Sequence, residues 1–222
     1  MQRIADDAAF AARWGDLGPV YGKQWVDWPT YRYRPDGLYE KGEGIDQVSQ
    51  VIESLRTNPG SRRHIIEGWN VAQLDRMALP PCHKTYQFHV GANGTQLNCL
   101  LYQRSCDVAL GLPYNIAGYA FLLELISRFT GIKPGYFGHT LIDAHIYTAK
   151  TDGSMAEYDH IPGLREQLVR EPRALPRLEI SPEVQHLDDI SALLEADTPA
   201  LLQTFRLHDY DPHPALTFKV AV

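Results

Sequence analysis

The stretch that most constrains how this chain can fold is residues 115–130. It is strongly apolar, opens behind Pro113 and stops at Gly131, the pattern of a helix with proline in its first turn and glycine just past its last. A helix this apolar is stable only when other elements cover it. Its longest unbroken apolar run, residues 116–123, ends at Glu124 and is far shorter than the ~20 residues a membrane span needs. The chain is therefore expected to build its core around this helix. With 222 residues, 44% of them apolar and 22% charged, it has the material of an ordinary globular domain.

The flanking patterns say what packs there. Ile45, Val48, Val51, Ile52 and Leu55 recur at spacings of three and four, which predicts an amphipathic helix ended by Asn58-Pro59-Gly60. Residues 84–90 alternate, with Tyr86, Phe88 and Val90 on one face. Asn93-Gly94 then separates them from a second alternating run, residues 97–104, and the two predict a hairpin. Residues 135–148 and 201–208 read as strands, and residues 163–170, behind Pro162, as a short helix. Pro172, Pro176, Pro182 and Pro199 punctuate the connections. With no internal repeat and no low-complexity linker, the expectation is a single α+β domain over residues 1–222, a mainly antiparallel or mixed sheet packed with helices.

Charge narrows the partners. Twenty-one Lys and Arg against 27 Asp and Glu leave −6, which argues against a basic surface built for nucleic-acid backbones. An anionic ligand has to be held by a local arginine cluster. The first ten residues carry Asp6 and Asp7 and no hydrophobic segment with a small-residue cleavage site, so a cytoplasmic protein without a membrane partner is expected. Three cysteines are an odd count without metal-type spacing, which favours free thiols over disulfides or a metal site.

Cys82 follows Pro80-Pro81 and precedes His83. Two prolines cannot sit inside a central strand, so this thiol belongs at a rigid loop end. Cys99 falls on the alternating face with Leu97 and Leu101, where a free cysteine packs as a small hydrophobe, and packing is also the expected role of Cys106. A nucleophilic thiol needs its thiolate, favoured by nearby arginine or hydrogen-bond donors. Arg62-Arg63 and Arg104 are the candidates, although taken alone Arg62-Arg63 reads as solvated surface charge. His83 next to the cysteine reads as structural, since neighbours in a strand point to opposite faces.

Longer blocks carry a resemblance. Gly18-Pro19-Val20-Tyr21-Gly22-Lys23-Gln24-Trp25, Ser61-Arg62-Arg63, Trp69-Asn70, Met77-Ala78-Leu79-Pro80-Pro81-Cys82-His83 and Tyr102-Gln103-Arg104-Ser105-Cys106-Asp107 stand in one order. Leu110-Gly111-Leu112-Pro113-Tyr114-Asn115-Ile116-Ala117, Asp143-Ala144-His145-Ile146-Tyr147, Arg170-Glu171-Pro172, Asp211-Pro212-His213-Pro214 and Val220-Ala221-Val222 continue it. Together they resemble the thymidylate synthase family over residues 15–222. The resemblance implies a homodimeric α+β enzyme, paired through a sheet face, that moves the one-carbon unit of 5,10-methylenetetrahydrofolate to C5 of deoxyuridine monophosphate (dUMP) and reduces it to methyl.

The resemblance also implies roles. Cys82 would add to C6 of the pyrimidine. Arg104 and Ser105 would bind the phosphate, with Arg62 and Arg63 reaching across from the other subunit. His145 and Tyr147 would hold the sugar hydroxyl, Tyr21 and Asp107 would stand at the substrate, and Asn115 would pair with uracil N3–H and O4 through its carboxamide. Asp107, Gly111, Tyr114 and Ala221 would meet the folate, a cosubstrate, and no metal is implied.

Departures from the family pattern accompany it. The family's region ahead of the Gly18 block, with an arginine loop and a glutamate-bearing helix, has no match here, so an N-terminally short member is expected. Val26, Gly118, Ile142 and the segment 148–160 also differ, and of the tryptophans that shield the folate side only Trp14 is present. The alternatives to a synthase are a folate-dependent hydroxymethylase acting on dUMP, in which water replaces hydride, and a silent nucleotide-binding or dimerisation remnant.

Overall fold

The computed structural model of the chain describes residues 5–91, 94–193 and 197–220. Contacts divide the molecule into two compact units, one of Met1–Cys106 with Tyr119–Asp143 and one of Asp107–Gly118 with Ala144–Val222.

The first unit opens with helices α1 (Ala8–Trp14) and α2 (Gly22–Val26), a two-stranded antiparallel ribbon of β1 (Tyr31–Tyr33) and β2 (Tyr39–Lys41), and helix α3 (Gln47–Thr57). The predicted periodicity is that of α3. Asp46 caps it by accepting from the Ser49 amide at 2.9 Å, and it ends at Asn58. Its buried stripe is Val48, Val51, Ile52 and Leu55.

A four-stranded sheet follows, in the order β3 (Ile65–Glu67), β4 (His83–Val90), β5 (Gln96–Asp107) and β6 (Lys133–His145). Strands β4 and β5 are the predicted antiparallel pair; Asn93 of the expected turn lies outside the described residues. Their register sets Tyr86 opposite Leu101 and Phe88 opposite Cys99. Residues directly opposite in an antiparallel pair share a face, so the alternating positions read from the sequence form one buried layer, joined by Ile66 of β3, which faces Tyr86.

Strand β6 runs parallel to β5. The Tyr136 amide meets Asn98 Oδ1 at 3.1 Å and His139 Nε2 meets Gln103 Oε1 at 2.8 Å, so partners ascend together along both strands. Parallel neighbours need a long crossover, and helix α4 (Gly111–Thr130) supplies it. The sheet is therefore mixed.

The expectation that this helix is core along its whole length needs correction. Tyr119, Leu123, Leu125, Ile126, Ser127 and Phe129 are buried, but no residue of 111–118 is. Those first two turns belong to the second unit, where they carry the polar Asn115 and the exposed Tyr114 and line a cavity rather than a core. In the first unit Tyr119 packs edge-on to Tyr86 at 5.2 Å and stacks on Phe137 at 5.8 Å. Arg56 closes the end of α4 by donating Nε and Nη2 to the Phe129 carbonyl at 2.9 and 2.6 Å, satisfying an acceptor the last turn leaves open. Elsewhere in the sheet, Ile65, Leu100, Tyr102, Tyr136 and Ile142 are exposed apolar side chains.

The second unit holds α5 (Ile161–Leu168), β7 (Arg177–Ile180), α6 (Leu187–Ala192), α7 (Thr198–Thr204) and β8 (Phe205–His208), with β7 and β8 antiparallel. The strand expected over residues 201–208 begins only at Phe205. Asp197 accepts from the Ala200 amide at 2.9 Å and Pro199 sits in the first turn, so the local caps make residues 198–204 a helix.

Burial holds the imidazoles of His139 and His64 below the ordinary histidine range. The unfolded chain therefore binds more protons than the native one as pH falls through about 6.5, and stability must drop on the acid side. A lower urea midpoint at about pH 5.5 than at about pH 7.5 is expected. The difference should shrink in His139→Gln, which keeps a donor for Gln103 but cannot titrate.

Candidate active site

In the first unit the loop that opens with Gly18 delivers Tyr21 to Cys82. Gly18 has φ +76, and a Cβ there would run into the Arg76 carbonyl. Tyr21 itself is held at φ +36, a conformation that costs energy in a non-glycine residue and persists because the surroundings fix it. Its ring lies between Trp25 at 6.2 Å and His83 at 5.3 Å, and its hydroxyl accepts from the Cys82 amide at 3.0 Å. Burial raises the Tyr21 hydroxyl above the usual phenol range, keeping it neutral and in place.

Arg104 fixes Cys82 from the other side. Its backbone amide donates to the Cys82 carbonyl at 2.9 Å. Its guanidinium donates Nε to the Pro81 carbonyl at 2.9 Å and Nη2 to the Pro80 carbonyl at 2.8 Å, and lies 5.4 Å above the Trp69 ring. Two prolines cannot join the ladder, so β4 starts only at His83, and a bulge between His83 and Thr85 shifts its register beside the cysteine. Both backbone groups of Cys82 are thus engaged while its thiol stays partly accessible; Cys99 and Cys106 are buried. Burial pushes the Cys99 thiol up to about 12.

A second set of bonds orients the strand after Arg104. Gln103 donates Nε2 to the Ser105 carbonyl at 2.8 Å, so its oxygen faces His139, whose Nε2 must carry the hydrogen of their 2.8 Å bond. The Arg104 Nη1 group takes no part in the proline contacts, which suits a planar fork to an anion. Arg62 and Arg63 are exposed. The Arg62 carbonyl accepts from Gln87 at 3.2 Å, and Arg63 lines a surface pocket of about 390 Å³ with Trp28, Ile45 and Gln47.

In the second unit, Asp107 Oδ1 accepts from the amides of Ala109 and Leu110 at 3.0 and 3.1 Å, shaping the turn into α4. Oδ2 takes no part in those bonds. Gly111 and Asn115 follow within one turn, the Asn115 oxygen lying 3.6 Å from where a Cβ on Gly111 would stand. Leu110, Pro113, Tyr114, Ala117 and Phe218 form apolar wall of a cavity of about 660 Å³. His145 and Tyr147 pack edge to face at 5.1 Å, and the His145 carbonyl accepts from the Val108 amide at 3.0 Å. Arg170 and Arg173 hold the C-terminal segment by its carbonyls, donating to Pro214 at 2.6 Å and to Asp211 and Pro212 at 3.0 and 3.1 Å. Ala221 lies outside the described residues.

A sequence model of thymidylate synthase matches residues 3–222. The chain belongs to the thymidylate synthase family. It is 50% identical over 221 residues to the thymidylate synthase of Novosphingobium aromaticivorans, a match covering 99% of this chain and 63% of that protein. Against the thymidylate synthase of Rhizorhabdus wittichii it is 44% identical, over 100% of this chain and 65% of the relative. Against that of Saccharomyces cerevisiae it is 45% identical, over 94% and 64%. The chain thus spans just under two thirds of the length of these relatives.

Family motifs pointed to Cys82, Arg104 and Asp107 without the residues that hold them. Trp69 belongs to the Trp69-Asn70 motif, but only the fold shows it beneath Arg104; Gln103 and His139 are likewise partners that no local pattern pairs. The departure at residues 148–160 is a loop whose ends meet, the His160 amide donating to the Tyr147 carbonyl at 3.0 Å. Among the described residues, no helix is long and apolar enough to cross a membrane and no cluster of His, Cys, Asp and Glu is arranged to hold a metal.

Exposure separates the thiols experimentally. Iodoacetamide should modify Cys82 in the native protein and reach Cys99 and Cys106 only in denaturant, as peptide mapping would show. Native-state labelling of Cys99 at the Cys82 rate would contradict this geometry.

Proposed function

We propose that this protein methylates dUMP to dTMP, with 5,10-methylenetetrahydrofolate as one-carbon donor and reductant, as a cytoplasmic homodimer. The observation that carries the reading is Cys82, an accessible thiol whose amide and carbonyl are both tied down beside the Arg104 guanidinium. A positioned thiol loses little freedom on attack. The names of the three relatives support the same reading.

In this reaction the Cys82 thiolate forms the Sγ–C6 bond of the pyrimidine, and the C5=C6 electron pair moves to C5, stabilised as an enolate through O4. The folate supplies an electrophilic methylene for C5 and then a hydride. One methylene–nitrogen bond of the folate opens as C5 attacks; after C5 loses its proton the second breaks to leave an exocyclic methylene on the ring, and hydride from the folate carbon adds to that methylene as the Sγ–C6 bond breaks to return the thiolate and release dihydrofolate.

Arg104, through Nη1, and the Ser105 hydroxyl hold the phosphate. Arg62 and Arg63 of the partner subunit complete its charge balance, which reconciles a −6 chain with a dianionic substrate. Asn115 accepts from uracil N3–H and donates to O4, and His145 and Tyr147 take the sugar hydroxyl. Tyr21 orients Cys82. Asp107 offers Oδ2 to the N–H groups of the folate ring, with Gly111, Tyr114 and Ala221 around it. The exposed apolar side chains Ile65, Leu100, Tyr102, Tyr136 and Ile142 support pairing of two copies through the sheet face, since a patch of this kind on one molecule invites a self-complementary partner.

Product analysis tests the reading. With folate carrying deuterium on its hydride-donating carbon, the expected product is dTMP with a single deuterium in the methyl group, formed together with dihydrofolate and lost in Cys82→Ser. A 5-hydroxymethyl product without deuterium would overturn methylation, and no product in the full chain would overturn the enzyme.

A further inference from the structure

His160 is buried to 1% exposure, yet it is neither apolar nor part of the chemistry above. Its surroundings, all within the second unit, are unusual for a packing residue. Nε2 lies 2.8 Å from the Lys219 carbonyl. A carbonyl only accepts, so Nε2 carries the hydrogen. Nδ1 is buried without a hydrogen-bond partner and stands 3.7 Å from Asp107 Oδ1, the oxygen that receives the Ala109 and Leu110 amides. The ring packs edge to face against Tyr147 at 5.6 Å and Phe218 at 5.1 Å.

One imidazole thus touches the C-terminal segment at two points, the Asp107 turn and Tyr147. A buried polar group left half-satisfied is costly unless the arrangement is held for another purpose. The segment it touches has no helix or strand over residues 209–220. It is fixed instead by side chains that grip its carbonyls: Arg173 and Arg170 near its start and His160 near its end.

We infer that His160 is a positioning residue that ties the C-terminal segment to the Asp107 turn, so that a ligand gripped by Asp107 is covered by that segment. The inference rests on the proposed folate role of Asp107. A ligand N–H drawn to the Asp107 carboxylate alters what Nδ1 faces, and the rigid ring carries that change to the Lys219 carbonyl on its other side.

Three variants separate the ring's two contacts in the full chain. His160→Gln sets an amide where Nε2 was and keeps the donation to Lys219. His160→Asn sets one where Nδ1 was and cannot reach Lys219. His160→Ala removes both. The KM for methylenetetrahydrofolate should rise about tenfold in the Asn and Ala variants, the scale of one lost buried hydrogen bond, with a smaller fall in kcat. The Gln variant should recover most of that loss, and dUMP affinity should hold within about twofold in all three. Hydrogen exchange of the amides at 215–220 should accelerate in the Asn and Ala variants and not in Gln.

Unchanged folate KM in folded His160→Asn, or equal losses in Gln and Ala, would overturn the inference. If the parent protein makes no methylated product, the proposed function fails by itself. The exchange data still judge the tie, and unchanged exchange at 215–220 would overturn it.

Discussion

The Arg104 guanidinium lying on the carbonyls of Pro80 and Pro81 is the contact on which the first unit's chemistry depends. Proline brings no N–H to the sheet, so a Pro-Pro step leaves two carbonyls without ladder partners. Among the described residues Arg104 meets both, and it does so from the adjacent strand while its own amide bonds the Cys82 carbonyl. Removing it would leave buried or half-buried acceptors unpaired and release the loop carrying the thiol. A charge held this way is spent on structure at two of its nitrogens, Nε and Nη2, while Nη1 takes no part in those contacts. The Trp69 face beneath it keeps the fork from turning away.

The second unit reaches rigidity by a different route. Its last described stretch has no regular structure, and it is held by donors aimed at successive backbone oxygens. Arginine suits this because it carries five N–H donors, and Nη1 of Arg173 alone serves the carbonyls of Asp211 and Pro212. Phe218, packed edge to face on His160, adds an apolar anchor near the end of the stretch.

Much of this was legible in the sequence, and the reasons are local. The i, i+3, i+4 spacing from Val48 to Leu55 and the alternation from Tyr86 to Leu101 each express a periodicity that burial enforces, so helix α3 and the β4–β5 pair followed. Pro80-Pro81 placed Cys82 at a strand entrance for a steric reason that the fold reproduces. Residues 201–204 misled because two leucines after proline read equally well as strand, and the deciding Asp197 cap is a single side chain outside the run. Helix α4 misled differently: apolar composition does not reveal that its first two turns line a cavity. His160, Trp69 and His139 were not legible, since each matters through a partner distant in the chain. The resemblance supplied names for residues, whereas the bonds that hold those residues had to be read from the fold.

The account stands on Cys82 as the nucleophile. The most direct measurement uses 5-fluorodeoxyuridylate with methylenetetrahydrofolate, because fluorine replaces the C5 hydrogen that must leave as a proton and the reaction stops while the Sγ–C6 bond is still in place. Intact-mass spectrometry of the full chain should then show a covalent complex of protein, nucleotide and folate, peptide mapping should place it on Cys82, and Cys82→Ser should show none. An adduct that persists in Cys82→Ser, or that maps to Cys99 or Cys106, would contradict the account.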